Sequence, residues 1–178
     1  MSKKLSMNEL NRIKVEEFKQ SSKLPVVVIL DNIRSMNNIG SVFRTCDAFR
    51  IEKICLCGIT AQPPHKDIEK TALGATQSVE WTYFPSTTEA VQDLKNENYA
   101  IFAVEQTQGS IFLDKFEIRN YPKLALVFGN EVLGVEQEVI DICNECIEIP
   151  QFGTKHSLNI SVSVGIVLWQ MMYLLSKS

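Results

Sequence analysis

Histidine is nearly missing from this chain: two residues, His65 and His156, in 178. A zinc site would therefore rest on cysteine, and the C-x-x-C at Cys143-Asn144-Glu145-Cys146 has no second pair to complete four ligands. That motif falls at the end of a predicted helix and not between a strand and a helix, so it reads as two packed thiols, not a redox pair. No metal is expected. Several signatures are absent as well. There is no G-x-G-x-x-G, no G-x-S-x-G and no H-E-x-x-H. Gly129 and Gly134 have the spacing of a phosphate-binding loop, but Val135-Glu136 stand where Lys and Ser/Thr would, and an acid there repels a phosphate. Eight glycines and six prolines are too few for a linker-rich or collagen-like chain, and no repeat of 20 to 50 residues is visible.

Positive charge is also scarce. Lys and Arg number 18 against 21 Asp and Glu, giving a net charge of −3 and a pI of about 5.5. That excludes a protein held on nucleic acid by bulk charge alone. The charge is uneven: residues 1–24 sum to +3, residues 25–80 to 0 and residues 81–178 to −6. A basic helical arm over 1–24 is expected on an acidic body over 25–178; the arm reads either as a solvated helix or as an electrostatic grip. Lys3-Lys4 lead into mixed polar residues, so no signal peptide is expected. The five cysteines are an odd number in a chain too large to need staples, and read as reduced thiols of a cytoplasmic protein. The apolar stretch Ile160–Leu175 has 16 residues, fewer than the ~20 a bilayer needs, and contains Ser161, Ser163 and Gln170. A helix buried in a core or in a subunit interface fits better, with Ser161, Ser163 and Gly165 admitting a second backbone.

The pattern along the chain predicts six strands alternating with helices. Ser6-x-x-Glu9 has the form of a capping box before a helix near 7–20. Val26–Leu30 is a β-branched run of the kind buried on both faces of a sheet. Ile39, Val42, Phe43 and Cys46 recur at helical spacing, so a helix starts near Asn38. Strands are expected at Lys53–Gly58, Val79–Phe84, Tyr99–Glu105, Leu124–Phe128 and Cys146–Ile149. Helices are expected at His65–Leu73, after Ser86, over Glu136–Cys143 and over Ser157–Leu175. The class is α/β, a mostly parallel sheet flanked by helices.

Three loops stand where open α/β sheets place ligands. In Asp31–Arg44, Asn37-Asn38 can cap the helix, and Gly40 makes room for a backbone or a ligand. Arg44 borders the apolar stripe; it either snorkels or holds a guanidinium at a dry cleft to grip a phosphate or ribose. In Phe128–Gly134, two glycines bracket Glu131, an acid that orients an arginine or lies exposed. Ile149–Asn159 ends with Ser157 as an N-cap, exposing backbone amides at a helix start. His156 and Ser157 are sequence neighbours, which rarely form a nucleophile–base pair.

Taken together and in this order, the loops resemble the three motifs of the SpoU/TrmH branch of the SPOUT RNA methyltransferases. Asn38-Ile39-Gly40-Ser41-Val42-Phe43-Arg44-Thr45-Cys46-Asp47-Ala48 looks like the first, Val127-Phe128-Gly129-Asn130-Glu131-Val132-Leu133-Gly134 like the second, and Ile149-Pro150 through Ser157-Leu158-Asn159-Ile160-Ser161-Val162 like the third. The resemblance implies that residues 25–178 form a methyltransferase domain with a C-terminal deep trefoil knot, one of the exceptions to unknotted folding. It implies a homodimer and an S-adenosyl-L-methionine site at Val104, Glu105, Gly129, Ile149 and Leu158. The implied reaction is methyl transfer to a ribose 2′-hydroxyl of tRNA or rRNA, with tRNA favoured. Arg44 resembles the catalytic arginine; Asn38 and Glu131 would hold it and the ribose, and Ser157 and Asn159 would close the site.

The chain departs from the family at Arg50, where glycine is usual, at Ser163 and Gly165, where alanine is common, and at His156. Neither a separate N-terminal RNA-binding domain nor a basic C-terminal tail is recognised, so RNA binding is expected to fall to Lys14, Lys19, Arg34, Arg50, Lys66 and Lys155, helped by Lys53 and Lys70, and to be weak and salt-sensitive. The alternative is a non-catalytic RNA-binding or assembly module that keeps the fold.

Overall fold

The computed structural model describes residues 2–6, 8–118 and 121–177. Its strands are β1 (Leu24–Asp31), β2 (Ile51–Cys57), β3 (Glu80–Phe84), β4 (Ala100–Val104), β5 (Ile111–Phe112), β6 (Leu124–Phe128) and β7 (Glu145–Glu148). They form one sheet in the order β3-β2-β1-β6-β4-β7-β5, and each paired neighbour is parallel. The expectation was six strands; the seventh, β5, has two residues, too few to leave a periodic mark.

Period-two alternation distributes the strand residues between two cores. Val26, Val28, Leu30, Leu124, Leu126 and Phe102 point to one face, where they meet α2 (Met36–Ala48), α3 (Lys66–Ala72), the short α4 (Ala75–Ser78) and α7 (Ile160–Leu175). Val27, Ile29, Ile101, Ala103, Ala125 and Val127 point to the other, against α5 (Thr87–Asn96) and α6 (Gln137–Ile142). Val26 to Leu30 are all fully buried. At roughly 1.5–3 kcal/mol per side chain, this one run contributes on the order of 10 kcal/mol before chain entropy is subtracted.

Helix starts differ from the sequence reading in three places. The segment expected as one helix near 7–20 is a 3-10 turn at Asn8–Leu10 followed by α1 (Val15–Gln20); Met7, the expected start, lies outside the described residues. Ser6 still accepts its capping role, its N–H and Oγ donating to Glu9 Oε2 at 2.7 and 2.6 Å. The chain does not stay helical through Asn11, which has a positive φ of 46°. In α2 the cap is Ser35, whose Oγ accepts from Asn38 N–H at 3.3 Å, so Asn37 and Asn38 lie inside the first turn. In α7 the cap is Asn159 and not Ser157; Asn159 Oδ1 accepts from Ser161 N–H at 2.9 Å. The second and third corrections each place an asparagine amide, Asn38 and Asn159, near the end of the sheet.

Gly40 serves helix packing. A Cβ there would lie 2.2 Å from the carbonyl oxygen of Ile68 on α3, so α2 and α3 touch backbone to backbone. α2 and α7 run side by side in the same direction. Asn38 meets Asn159 at their starts (3.2 Å), and Phe49 meets Trp169 edge-on further along (6.2 Å between centroids). α1 docks through Phe18, which is buried in the main core; the Lys23 ammonium donates to the Phe18 carbonyl and lies 4.5 Å from its ring centre.

Candidate active site

Because the strands are parallel, the carboxyl ends of β1, β6, β4 and β7 lie along one edge, and the loops that follow them gather there. They enclose a cleft of about 670 Å³. Val104, Glu105, Gly129, Ile149 and Leu158 line it, as do Glu131, Ser157 and Asn159. Ile147 and Phe128 add apolar wall beneath.

Glu131 is the hub that joins the first two loops. Its carboxylate accepts from the backbone N–H groups of Arg34 (3.1 Å) and Ser35 (3.0 Å) and from Asn38 Nδ2 (3.2 Å). Partial burial works against the charged form, but these donors outweigh it and hold the Glu131 carboxyl below its ordinary range. Asn38 passes the connection to the third loop, its Oδ1 accepting from Asn159 Nδ2 at 3.2 Å. One chain of hydrogen bonds thus ties the first loop to two others that lie 93 and 121 residues further along the sequence.

A second set of contacts shapes the Glu131 loop itself. Asn130 and Gly134 exchange backbone hydrogen bonds of 2.9 Å each, closing the loop like a collar. The closure brings Gly129 so near Gly134 and Val135 that a Cβ would fall 2.1 Å from their backbone atoms. The close approach at Gly129 is therefore made by the loop's own backbone. Gly134 has a φ of +72°, which suits glycine. Asn130 Oδ1 accepts from Val132 and Leu133 N–H, while its Nδ2 donates to the Asn32 carbonyl at 2.6 Å. Glu105, which lines the cleft, accepts from Val135 N–H (3.0 Å) and Gln106 N–H (2.9 Å), so its side chain braces the loop.

Sequence reasoning did not find the residue beneath this loop. Asp31, the fully buried last residue of β1, accepts from Thr87 Oγ1 (2.6 Å), Asn32 Nδ2 (3.0 Å) and Glu136 N–H (3.2 Å). It thereby joins β1 to the first turns of α5 and α6. Beside it, burial and the Asp31 charge raise the Glu136 carboxyl above its ordinary value. In sequence it shows only as an acid directly after an unbroken apolar run and before the turn-forming Asn32, a pattern shared by strands that end in solvent.

Arg44 is not brought into the cleft. It lies on the exposed side of α2, with no hydrogen bond or ion pair among the described residues. Six residues beyond Asn38, it stands about 9 Å further along the helix axis. The six expected RNA-binding cations are all exposed but do not form one patch. Arg34 adjoins Glu131, Lys155 is in the third loop, and Lys66 opens α3 on the side of the sheet's carboxyl edge. Arg50 precedes β2 and so stands at the opposite edge, while Lys14 and Lys19 flank and occupy α1. The described residues contain no cluster able to hold a metal ion. No helix of the described residues is long and apolar enough to cross a membrane.

The fold and the site define an α/β protein with a cofactor-sized cleft at the carboxyl edge of a parallel sheet, closed by three mutually bonded loops. Residues 25–169 match the model of the SpoU rRNA Methylase family, and the chain belongs to that family. It is 31% identical over 162 residues to a tRNA (guanosine(18)-2′-O)-methyltransferase of Aquifex aeolicus, covering 88% of this chain and 73% of that one. A 23S rRNA (guanosine-2′-O-)-methyltransferase of Neisseria meningitidis is 28% identical over 159 residues, 89% of this chain and 62% of its own. Among solved structures, the TrmH/SpoU tRNA modifying enzyme of A. aeolicus superposes with a TM-score of 0.80 at 24% identity, over 92% of this chain and 83% of that one. The SpoU methyltransferase AviRb of Streptomyces viridochromogenes, in complex with AdoMet, gives a TM-score of 0.80 at 20% identity, over 91% and 65%.

Proposed function

We propose that the chain is an S-adenosyl-L-methionine-dependent RNA methyltransferase that modifies a ribose 2′-hydroxyl, with tRNA favoured over rRNA. The observation that carries the proposal is the hydrogen-bonded chain Glu131–Asn38–Asn159 across the mouth of the 670 Å³ cleft. The volume suits a nucleoside-sized ligand. Apolar wall from Val104, Ile147, Ile149 and Leu158 suits a purine, and the loop backbone offers polar groups beside it. These residues fit S-adenosylmethionine, which supplies a methyl group on a sulfonium when bound.

The work left to the protein is positioning and charge. A ribose hydroxyl is a weak nucleophile at neutral pH, and holding it in line is worth several kcal/mol, on the order of 7 or more in well-oriented cases. Asn38, Asn159 and Ser157 present donors and acceptors at the mouth for the ribose and the closing loop. Glu131 keeps the start of α2 fixed, and with it the helix that carries Arg44. A guanidinium does not readily give up its proton, so Arg44 serves as a clamp on an RNA phosphate and on developing alkoxide charge, not as a base.

In a single copy Arg44 is exposed and does not line the cleft, and the reading therefore includes a homodimer. The exposed apolar stripe Val162, Ile166, Trp169 and Tyr173 on α7 supports it. These residues recur at helical spacing beside α2, and a second copy covering them would also cover the Arg44 surface. The family's C-terminal trefoil knot and a cytoplasmic location belong to the same reading; the five free cysteines agree with a reducing compartment. Arg34, Lys66 and Lys155 are the cations set to guide RNA to the mouth, with Lys14, Lys19 and Arg50 reaching more distant phosphates.

Calorimetric titration with S-adenosylmethionine, followed by labelled-methyl transfer to tRNA and to rRNA, tests the proposal. Arg44→Ala is expected to lose turnover while keeping cofactor affinity; unchanged turnover would remove Arg44 from the mechanism. The second reading, an RNA-binding module without turnover, is favoured by Arg44's place outside the cleft, and would show as cofactor and RNA binding without transfer.

A further inference from the structure

One aromatic ring stands apart from everything the function has used. Phe152 is 97% exposed, the most exposed large apolar side chain among the described residues. Its chain neighbours Gln151 and His156 line the cleft, but Phe152 does not. The ring therefore sits on the outer rim, beyond the space that fits the cofactor. Val132 and Leu133, which do line the cleft, are 74% and 80% exposed. The backbone next to the ring is open: a Cβ on Gly153 would meet nothing within 4 Å. A ring so placed presents its faces to solvent.

Charge identifies the kind of partner. The chain carries twelve acids after residue 80, yet none after Glu148, so Phe152 lies in a segment whose nearest formal charge along the chain in the carboxyl direction is Lys155. Donors are plentiful: Thr154, Lys155, His156 and Ser157 are all exposed. A flat apolar face beside a cation and several donors matches a nucleotide, whose base stacks on an aromatic face while its phosphate pairs with lysine. The apolar stripe on α7 belongs to another element and is separated from Phe152 along the chain by the exposed residues 153–159.

We propose that Phe152 is a stacking platform for a base of the RNA substrate, adjoining the nucleotide that enters the cleft, with Lys155 holding the phosphate of that neighbour. The proposal rests on the RNA methyltransferase reading and adds to it a determinant of substrate grip outside the cofactor cleft.

The test compares Phe152→Ala, Phe152→Leu and Phe152→Tyr with the native chain, using an unmodified tRNA transcript as the probe. Fluorescence anisotropy reads RNA binding, calorimetry reads S-adenosylmethionine binding, and sedimentation reads the mass in solution. Phe152→Ala is expected to weaken RNA binding about tenfold, within the range for one stacked base. It should raise KM for RNA by a similar factor and leave cofactor affinity unchanged. Phe152→Tyr should restore binding, because it keeps the π-face, and Phe152→Leu should not. Full binding by Phe152→Leu would overturn stacking. A changed solution mass in Phe152→Ala would assign the ring to a contact between copies instead, and lost cofactor affinity would assign it to the cleft; either result overturns the proposal. If the native chain binds the transcript but transfers no methyl, the methyltransferase reading fails while anisotropy still decides the role of Phe152. If it binds no RNA, both fall.

Discussion

Gly129→Ala is the most direct perturbation of the site, because it adds one methyl group and no charge. The backbone at Gly129 is outside the left-handed region, so alanine is conformationally allowed there and the effect is steric. The new Cβ would lie 2.1 Å from both Gly134 C and Val135 N, and backbone cannot rotate aside as a long side chain can. Reaching ordinary contact requires the two arms of the loop to part by roughly 1.3 Å. That separation breaks the paired Asn130–Gly134 hydrogen bonds (2.9 Å each) and the Val135 N–H to Glu105 bond (3.0 Å). At about 1 kcal/mol per neutral bond and somewhat more for the one to a carboxylate, the loss is about 3–4 kcal/mol. For a domain of this size that lowers the melting temperature by about 6–16 °C. Misplacing Glu131 by about an ångström is expected to cost on the order of a hundredfold in methyl transfer. Gly153→Ala, whose Cβ meets nothing, is the control in the melting experiment and should stay within about 2 °C. A Gly129→Ala chain that melts with the native one and turns over within twofold would refute the loop-closure argument.

Two further outcomes follow from titratable groups. The Glu131 carboxyl is depressed in the folded chain, so its anchoring is fully present above the ordinary carboxylate value of about 4.3 and is lost as pH falls through the folded value. The difference in unfolding midpoint between native and Glu131→Gln chains should be constant above about pH 5 and shrink below about pH 4; a gap unchanged at pH 3 would show that the charge is not what anchors the loop. Burial pushes the thiols of Cys55 and Cys143 up to about 12, and those of Cys46 and Cys57 upward too. A thiol reagent at neutral pH should therefore leave Cys46, Cys55 and Cys57 unmodified in the native chain and reach all five cysteines only after denaturation; rapid native labelling of Cys46, detected by mass spectrometry, would contradict the packing of α2 on the sheet.

The fold was legible where burial is continuous. Val26–Leu30 and Leu124–Phe128 are unbroken apolar runs, and they became the paired central strands β1 and β6. The stripe Ile39–Val42–Phe43–Cys46 is buried as its spacing predicts. What was not legible was the choice among neighbouring polar residues. Ser157 and Asn159 are both good caps, and so are Ser35 and Asn38; spacing alone cannot say which side chain reaches the free N–H. The outcome matters for the site, because an asparagine released from the cap of α2 is free to bridge two loops. Asp31 was illegible for another reason. Its partners Thr87 and Glu136 lie 56 and 105 residues away, and no local pattern distinguishes an acid that ends a strand in solvent from one sealed beneath two helix starts.

Besides the backbone N–H groups of Arg34 and Ser35, the contacts that tie the loops together are of one chemical kind: the amides of Asn32, Asn38, Asn130 and Asn159, with the carboxylate of Glu131. An amide donates and accepts at once, so each can bond one loop through its nitrogen and another group through its oxygen. Most of these bonds are exposed, and an exposed hydrogen bond exchanges readily with water at a net cost of about 1 kcal/mol or less. The strands beneath are fully buried and cannot yield so cheaply. The loops can therefore part to admit a ligand without disturbing the sheet. Asp31 stands at the boundary between the two: it is bonded on both carboxylate oxygens and shielded from water, the last residue of β1 before the loop that leads to the site.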